Sequence, residues 1–272
     1  MAPALFWVLH ANKEDLIPEF YFKAGGEVLG ILFVVTWIVT AIFNPDIIDD
    51  NPLYVILGYP NLCVGFDTQP ATSFGVVIYV FGAYLGLRYG WTSIQRTHLI
   101  RDRLGEWKFY FCLLADWLYI ISLALFSLVF VLNPFKDGVW PHTLPFFGII
   151  VGRFVVVVAS FSAKKESMSW GQRIFLGVYT FASFGFMLCV SLDFIVYESN
   201  CTPDCGDWKG PFLPWYLTAF LDYTWMVCLP LTTRFLPHLE VIHLRISAVK
   251  YEEVVNIKVQ PEQIPPSVDE VQ

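Results

Sequence analysis

The chain has 272 residues, of which 56% are apolar and 18% aromatic, with a mean hydropathy of +0.56 and a formal charge of −7. So apolar a composition excludes a soluble domain of this size and reads as an all-α polytopic membrane protein. The acidic balance gives no footing for nucleic acid, and much of it sits in the first long loop and in the tail beyond Lys250.

Residues 1–26 read as a short amphipathic lead-in. They lack the basic start of a cleavable signal, so the first spanning helix is expected to direct insertion. That span covers about residues 27–43 and is stopped by Asn44-Pro45. The following loop carries Asp46, Asp49, Asp50 and Asp67 with no lysine or arginine, and is expected to cap the bundle. The second span, about 72–91, places Gly82, Gly86 and Gly90 in two overlapping GxxxG steps. Such a bare face allows close backbone approach, either within the chain or at a homodimer seam.

Spans three to six are expected at about 109–132, 141–163, 174–197 and 212–236, giving a six-transmembrane-helix bundle. Residues 237–272 then form a juxtamembrane segment and an acidic tail that reads as disordered. Lysine and arginine collect in the second and fourth loops and just after the sixth span. By the positive-inside rule both termini are cytoplasmic. Trp91, Trp107, Trp140, Trp170 and Trp208 fall at the expected water boundaries, where an indole keeps its N–H wet.

The fifth loop is then outside, and it holds the acceptor pattern Asn200-Cys201-Thr202 for glycosylation. Cys201 and Cys205 share that loop, with Cys63 on the same side. An oxidising compartment allows one disulfide among the three and leaves one thiol over.

Charges inside the spans are costly and therefore informative. Arg153 lies roughly 16 Å in from His142, near the middle of a bilayer core. Asp116 and Asp222 come to a similar depth, so the three are expected to meet in the bundle interior; Asp193 falls at the outer interface. The cluster reads either as a register-fixing ion pair or as a site where a surplus carboxylate takes a headgroup, an ion or a proton. No lysine lies in a predicted span, which argues against a Schiff-base cofactor. No HExxH or GxSxG is present, and no Cys/His cluster has metal-site spacing. His142, between Pro141 and Pro145, reads as an interfacial hydrogen-bonding residue. Neither a metal nor a cofactor is expected, and a non-enzymatic role is favoured.

The layout, together with Asn44-Pro45, Asp67-Thr68-Gln69-Pro70, Pro141-His142, Asp222 and Leu244-Arg245-Ile246-Ser247, resembles the DRAM-type family. These are the damage-regulated autophagy modulators and their relatives in GPI-lipid remodelling and phosphoinositide-kinase regulation. Gln69 stands where the family's segment has glycine, and no acid follows His142. The resemblance implies six spans and a non-enzymatic role in lipid organisation, trafficking or autophagy, with membrane lipids as partners. Its setting would be the endomembrane, lysosomal or plasma membrane. Tyr251-Glu252-Glu253-Val254 fits a tyrosine-based sorting pattern, read from Tyr251 and Val254. The competing readings are a sterol-type ligand-binding protein or isomerase built on Asp116 and Asp222, and an accessory subunit of a larger membrane complex.

Overall fold

The first helix begins earlier than its hydropathy suggests. The computed structural model describes residues 18–164, 168–200 and 210–237, and α1 runs over Pro18–Phe43. Glu19, Phe22 and Lys23 are buried, so the last nine residues of the expected lead-in belong to the helix. Lys23 therefore lies inside a membrane-length helix, contrary to the expectation that none would.

The acidic loop folds into a compact cap. It contains α2 (Ile47–Asp50), α3 (Pro52–Leu57) and a 3-10 turn over Leu62–Phe66. Two asparagines start these turns. The Asn51 side-chain oxygen accepts from Leu53 N at 2.8 Å, and that of Asn61 accepts from Cys63 N at 2.9 Å, each meeting an otherwise orphaned backbone donor. Gly58 ends α3 at φ 74, where a side chain would be strained and a Cβ would also strike Pro211.

After a cis Gln69-Pro70 bond, α4 runs Ala71–Leu99 without a break. A short turn α5 (Arg101–Leu104) leads to α6 (Glu106–Phe126), which tightens into a 3-10 turn through Phe130. The remaining helices are α7 (Val139–Ala163), α8 (Trp170–Asn200) and α9 (Trp215–Phe235). α4 reaches eight residues past its expected end, which brings Arg96 into the bundle, where it is buried.

The six long helices close a ring in chain order: α1 packs on α4, α4 on α6, α6 on α7, α7 on α8, α8 on α9, and α9 back on α1. Lipid tails are as apolar as a protein core, so such a ring gains little from hydrophobic burial and relies on close packing and polar links. Glycine supplies the packing. A Cβ on Gly86 would lie 2.4 Å from Leu123 Cδ1, on Gly90 2.6 Å from Ile120 Cγ1, and on Gly82 3.2 Å from Val28 Cγ1. The GxxxG face of α4 is thus occupied within the chain by α1 and α6. Gly152 is tighter still, with its Cβ position 2.1 Å from Ser122 Oγ. At the centre Trp225 stands edge-on to Phe146 and Phe33, with ring centroids 5.5 and 6.2 Å away.

Outside the ring, Val77, Val80, Ile42, Phe181, Leu188 and Phe220 are exposed. Apolar side chains on the outer faces of long helices call for an apolar surrounding. Five helices, α1, α4, α6 with its 3-10 extension, α7 and α8, are long and apolar enough to cross a membrane. The chain is a helical membrane bundle. α9, 21 residues with Asp222, four threonines and Pro230, falls short of that apolarity while completing the ring.

Among the cysteines, Cys63 is a buried free thiol, while Cys201 and Cys205 lie outside the described residues. Tyr251 and Val254 also lie outside them. Asn200 is the exposed last residue of α8, its Nδ2 donating to Val196 O at 2.7 Å.

Candidate functional site

The buried polar residues of this ring fall into three groups along its length rather than one. One group lies beneath the cap, one in the middle, and one at the opposite end, where the Arg101–Leu104 turn makes the surface basic.

Beneath the cap, each capping asparagine has a second task. While its oxygen holds the backbone of its own turn, its amide donates to a buried carboxylate. Asn51 Nδ2 donates to Asp67 Oδ2 at 2.5 Å, and Asn61 Nδ2 to Asp222 Oδ2 at 2.9 Å. Tyr59 adds its hydroxyl to Asp222 Oδ2 at 3.1 Å. Asp67 Oδ1 faces His142 Nε2 at 3.3 Å, and both side chains are fully buried. The other imidazole nitrogen, Nδ1, lies 2.6 Å from Leu132 O. A carbonyl can only accept, so Nδ1 carries a hydrogen, and Nε2 faces Asp67 without a hydrogen bond between them. Asn133 Nδ2 donates to the Asp67 carbonyl at 3.3 Å.

Burial pushes the Asp67 carboxyl up to about 8, against a smaller downward pull from the Asn51 amide. Cys63 lies between the two acids: burial, then the charges of Asp222 and Asp67, raise its thiol well above the ordinary range. Such a thiol is no nucleophile at neutral pH. With every member buried, the arrangement ties the cap to α7 and α9 and can hold or release a proton.

At the basic end, Arg96 of α4 forms a buried ion pair with Glu19 of α1. Arg96 Nη2 reaches Ser93 Oγ at 3.5 Å, and Tyr89 donates to Asp116 Oδ1 at 3.1 Å. Lys23, one turn from Glu19, is buried beside the pair. Breaking a buried pair by removing one partner typically costs about 3–5 kcal/mol, because the other charge is left stranded.

In the middle sits Arg153. Its Nη1 donates to Tyr119 Oη at a long 3.5 Å, and its guanidinium carbon lies 4.2 Å from the ring centre of Phe22. The Tyr179 hydroxyl also approaches the guanidinium, though not in good hydrogen-bond geometry. Nε and Nη2 have no partner among the described residues. A cavity of about 20 Å³ adjoins it, walled by Arg153, Tyr119, Tyr79 and Gly25 among others. A desolvated cation–π contact is worth about 2 kcal/mol, less than the several kcal/mol that burying an ion costs.

Asp116, Arg153 and Asp222 are all buried, but the structure does not bring them together. No ion pair joins them, and each has separate partners. Two features of helix geometry explain this. Asp116 and Tyr119 are three residues apart on α6 and so differ by about 60° in direction; Tyr119 takes the Arg153 side and Asp116 turns to α4. On α9, Leu229 and Thr232 border the same Gly26 gap as the Arg153 guanidinium, and Leu229 is about 10 Å along the helix from Asp222. Asp222 thus belongs to the cap. Asp193, expected at the interface, is fully buried and accepts from Leu213 N at 2.9 Å.

Hydropathy could not reveal the Glu19–Arg96 pair, since both residues lie beyond the apolar windows of their helices. A signal was present nonetheless: Glu19 and Lys23 are four apart, on one helical face, directly before an apolar run. For Asn51 and Asn61, the sign is an asparagine two residues before an apolar residue at the start of each turn. Among the described residues no group of His, Cys, Asp and Glu could hold a metal ion. No family model, no curated protein and no solved structure matches the chain.

Proposed function

We propose that the chain is a six-span membrane protein, with both ends cytoplasmic and the cap outside or lumenal. It acts without catalysis on lipid organisation, trafficking or autophagy, as the DRAM-type proteins it resembles do. The observation that carries this reading is that protein donors reach both buried acids and that the cavity beside Arg153 is small. The buried carboxylates of Asp116 and Asp222 are engaged by Tyr89 and by Tyr59 and Asn61, and the cavity by Arg153, at about 20 Å³, holds one or two water-sized particles rather than a sterol. An isomerase or a sterol receptor needs an apolar space of several hundred cubic ångströms opening on an acid.

The lipid-facing aromatic surface and the basic residues Arg101 and Arg103 at one end support membrane lipids as its partners. The test compares cells lacking the chain with cells re-expressing it, measuring autophagic flux and the distribution of lipids among membranes. The purified protein is assayed in parallel for turnover of labelled lipid. A change in flux or distribution with no turnover is the expected result. Steady turnover by the purified protein, or cells unaltered in both measures, would overturn the reading.

A further inference from the structure

The unpaired cation at the centre of the ring points to a ligand that no acidic side chain replaces. Arg153 is 1% exposed, and guanidinium stays charged at any physiological pH. No acid among the described residues forms an ion pair with it. What surrounds it is aromatic: the Phe22 face, the Tyr119 hydroxyl and the Tyr179 hydroxyl. These spread the charge without neutralising it, and Nε and Nη2 remain without acceptors.

The adjoining cavity lies between α1, α4, α6 and α7, with Arg153 and Tyr119 on its wall. The third polar wall residue, Tyr79, donates its hydroxyl hydrogen to Leu123 O. Tyr119 differs: its oxygen accepts from Arg153, which leaves its own O–H free to donate. The space thus meets a guanidinium and one phenolic donor, with aliphatic groups around them. Gly25 and Gly82 line the space, where a side chain would intrude, while Gly26, outside its wall, lets Arg153 Nη2 pass 2.7 Å from where a Cβ would stand.

We infer that this cavity binds a single small monovalent anion of chloride size, held by Arg153 and Tyr119 in the middle of the bundle. The volume decides the class. Room for one or two water-sized particles excludes phosphate esters, sulfate and lipid headgroups, while a halide fits. The charge decides between a halide and a water, because water could satisfy the N–H groups but would leave the net charge in place. This inference goes beyond the proposed role in lipid organisation and stands or falls separately from it.

The experiment uses the full chain purified in detergent, its thermal unfolding followed in chloride, bromide and gluconate at constant ionic strength. Ligand that binds only the folded state raises Tm with the logarithm of its concentration, so chloride raised about 100-fold above its Kd should add several degrees while gluconate adds none. Y119F should need about tenfold more halide for the same shift, and R153Q should lose the dependence. Equal curves in halide and gluconate, or a halide effect that persists in R153Q, would overturn the site. Should R153Q not fold, anomalous diffraction from bromide-grown crystals of the unaltered chain decides. A bromide peak within about 3.5 Å of the guanidinium is the expected result; density for water only, or bromide elsewhere, would overturn it.

Discussion

The two ends of the ring hold buried acids by opposite means. At the basic end Glu19 meets the permanent cation of Arg96, whereas beneath the cap Asp67 and Asp222 meet only amides, a phenol and an imidazole. At the basic end the carboxylate faces a guanidinium, a partner whose own charge does not change with physiological pH. A buried carboxylate offered only neutral donors is poised to take a proton. One end is therefore a fixed clasp between α1 and α4, and the other a clasp whose strength follows acidity.

The largest effect that would break this contrast is at the fixed clasp. R96L should destabilise the bundle by about 3–5 kcal/mol, seen as loss of folded protein in detergent, and the double change with E19L should recover most of it. If the double change recovers nothing, the pair is not what holds α1 to α4. Beneath the cap the cost should be smaller. D222A strands the Tyr59 hydroxyl and the Asn61 amide and should cost about 1–3 kcal/mol, with D222N nearer neutral, both read by thermal unfolding.

The pH response sharpens the contrast further. Asp67 has a folded pKa of about 8, above the 3.8 of the free carboxyl, so the folded state holds this proton more tightly than the unfolded chain. Its stability contribution is complete below about 4 and is lost as pH rises through about 8. Tm should therefore climb by at least a few degrees on acidification from pH 8 to pH 5, and D67N should flatten that climb. His142 and Cys63 face the same carboxyl from α7 and from the cap, so H142Q should alter the slope.

Glycine substitutions test the packing alone. G152A pushes a Cβ onto Ser122 and close to the Tyr119 backbone and should cost about 1–3 kcal/mol. G177A meets nothing within 4 Å and should be neutral or slightly stabilising.

Much of the fold was legible before the structure. The apolar runs located all six long helices, and the stop at Asn44-Pro45 agrees with the end of α1 at Phe43. Starts and ends were less readable where buried charges extend a helix beyond its apolar window. Arg96 looked like a loop residue because Trp91 ends the apolar stretch, and Glu19 looked like lead-in for the same reason. Their burial depends on each other, which one-dimensional hydropathy cannot register. The depths of Asp116, Arg153 and Asp222 were roughly estimated from helix rise, but rise says nothing of rotation, and rotation sends Asp116 to Tyr89 instead. Asp67 and His142 were singled out through Asp67-Thr68-Gln69-Pro70 and Pro141-His142. Their joint partners in Asn51 and Leu132 depend on how the cap folds back, a tertiary fact.

Because the ring closes between α1 and α9, its first and last long helices, assembly has a built-in order. During synthesis α1 can settle against α4 as soon as α4 is inserted, but its other flank waits for the whole domain to be made. A chain halted before α9 would leave the Gly26 side of α1 bare, and with it the Leu229 and Thr232 contacts that seal the centre. Such an unfinished molecule carries a visible seam, by which the machinery that retains incomplete membrane proteins could tell it from a finished one.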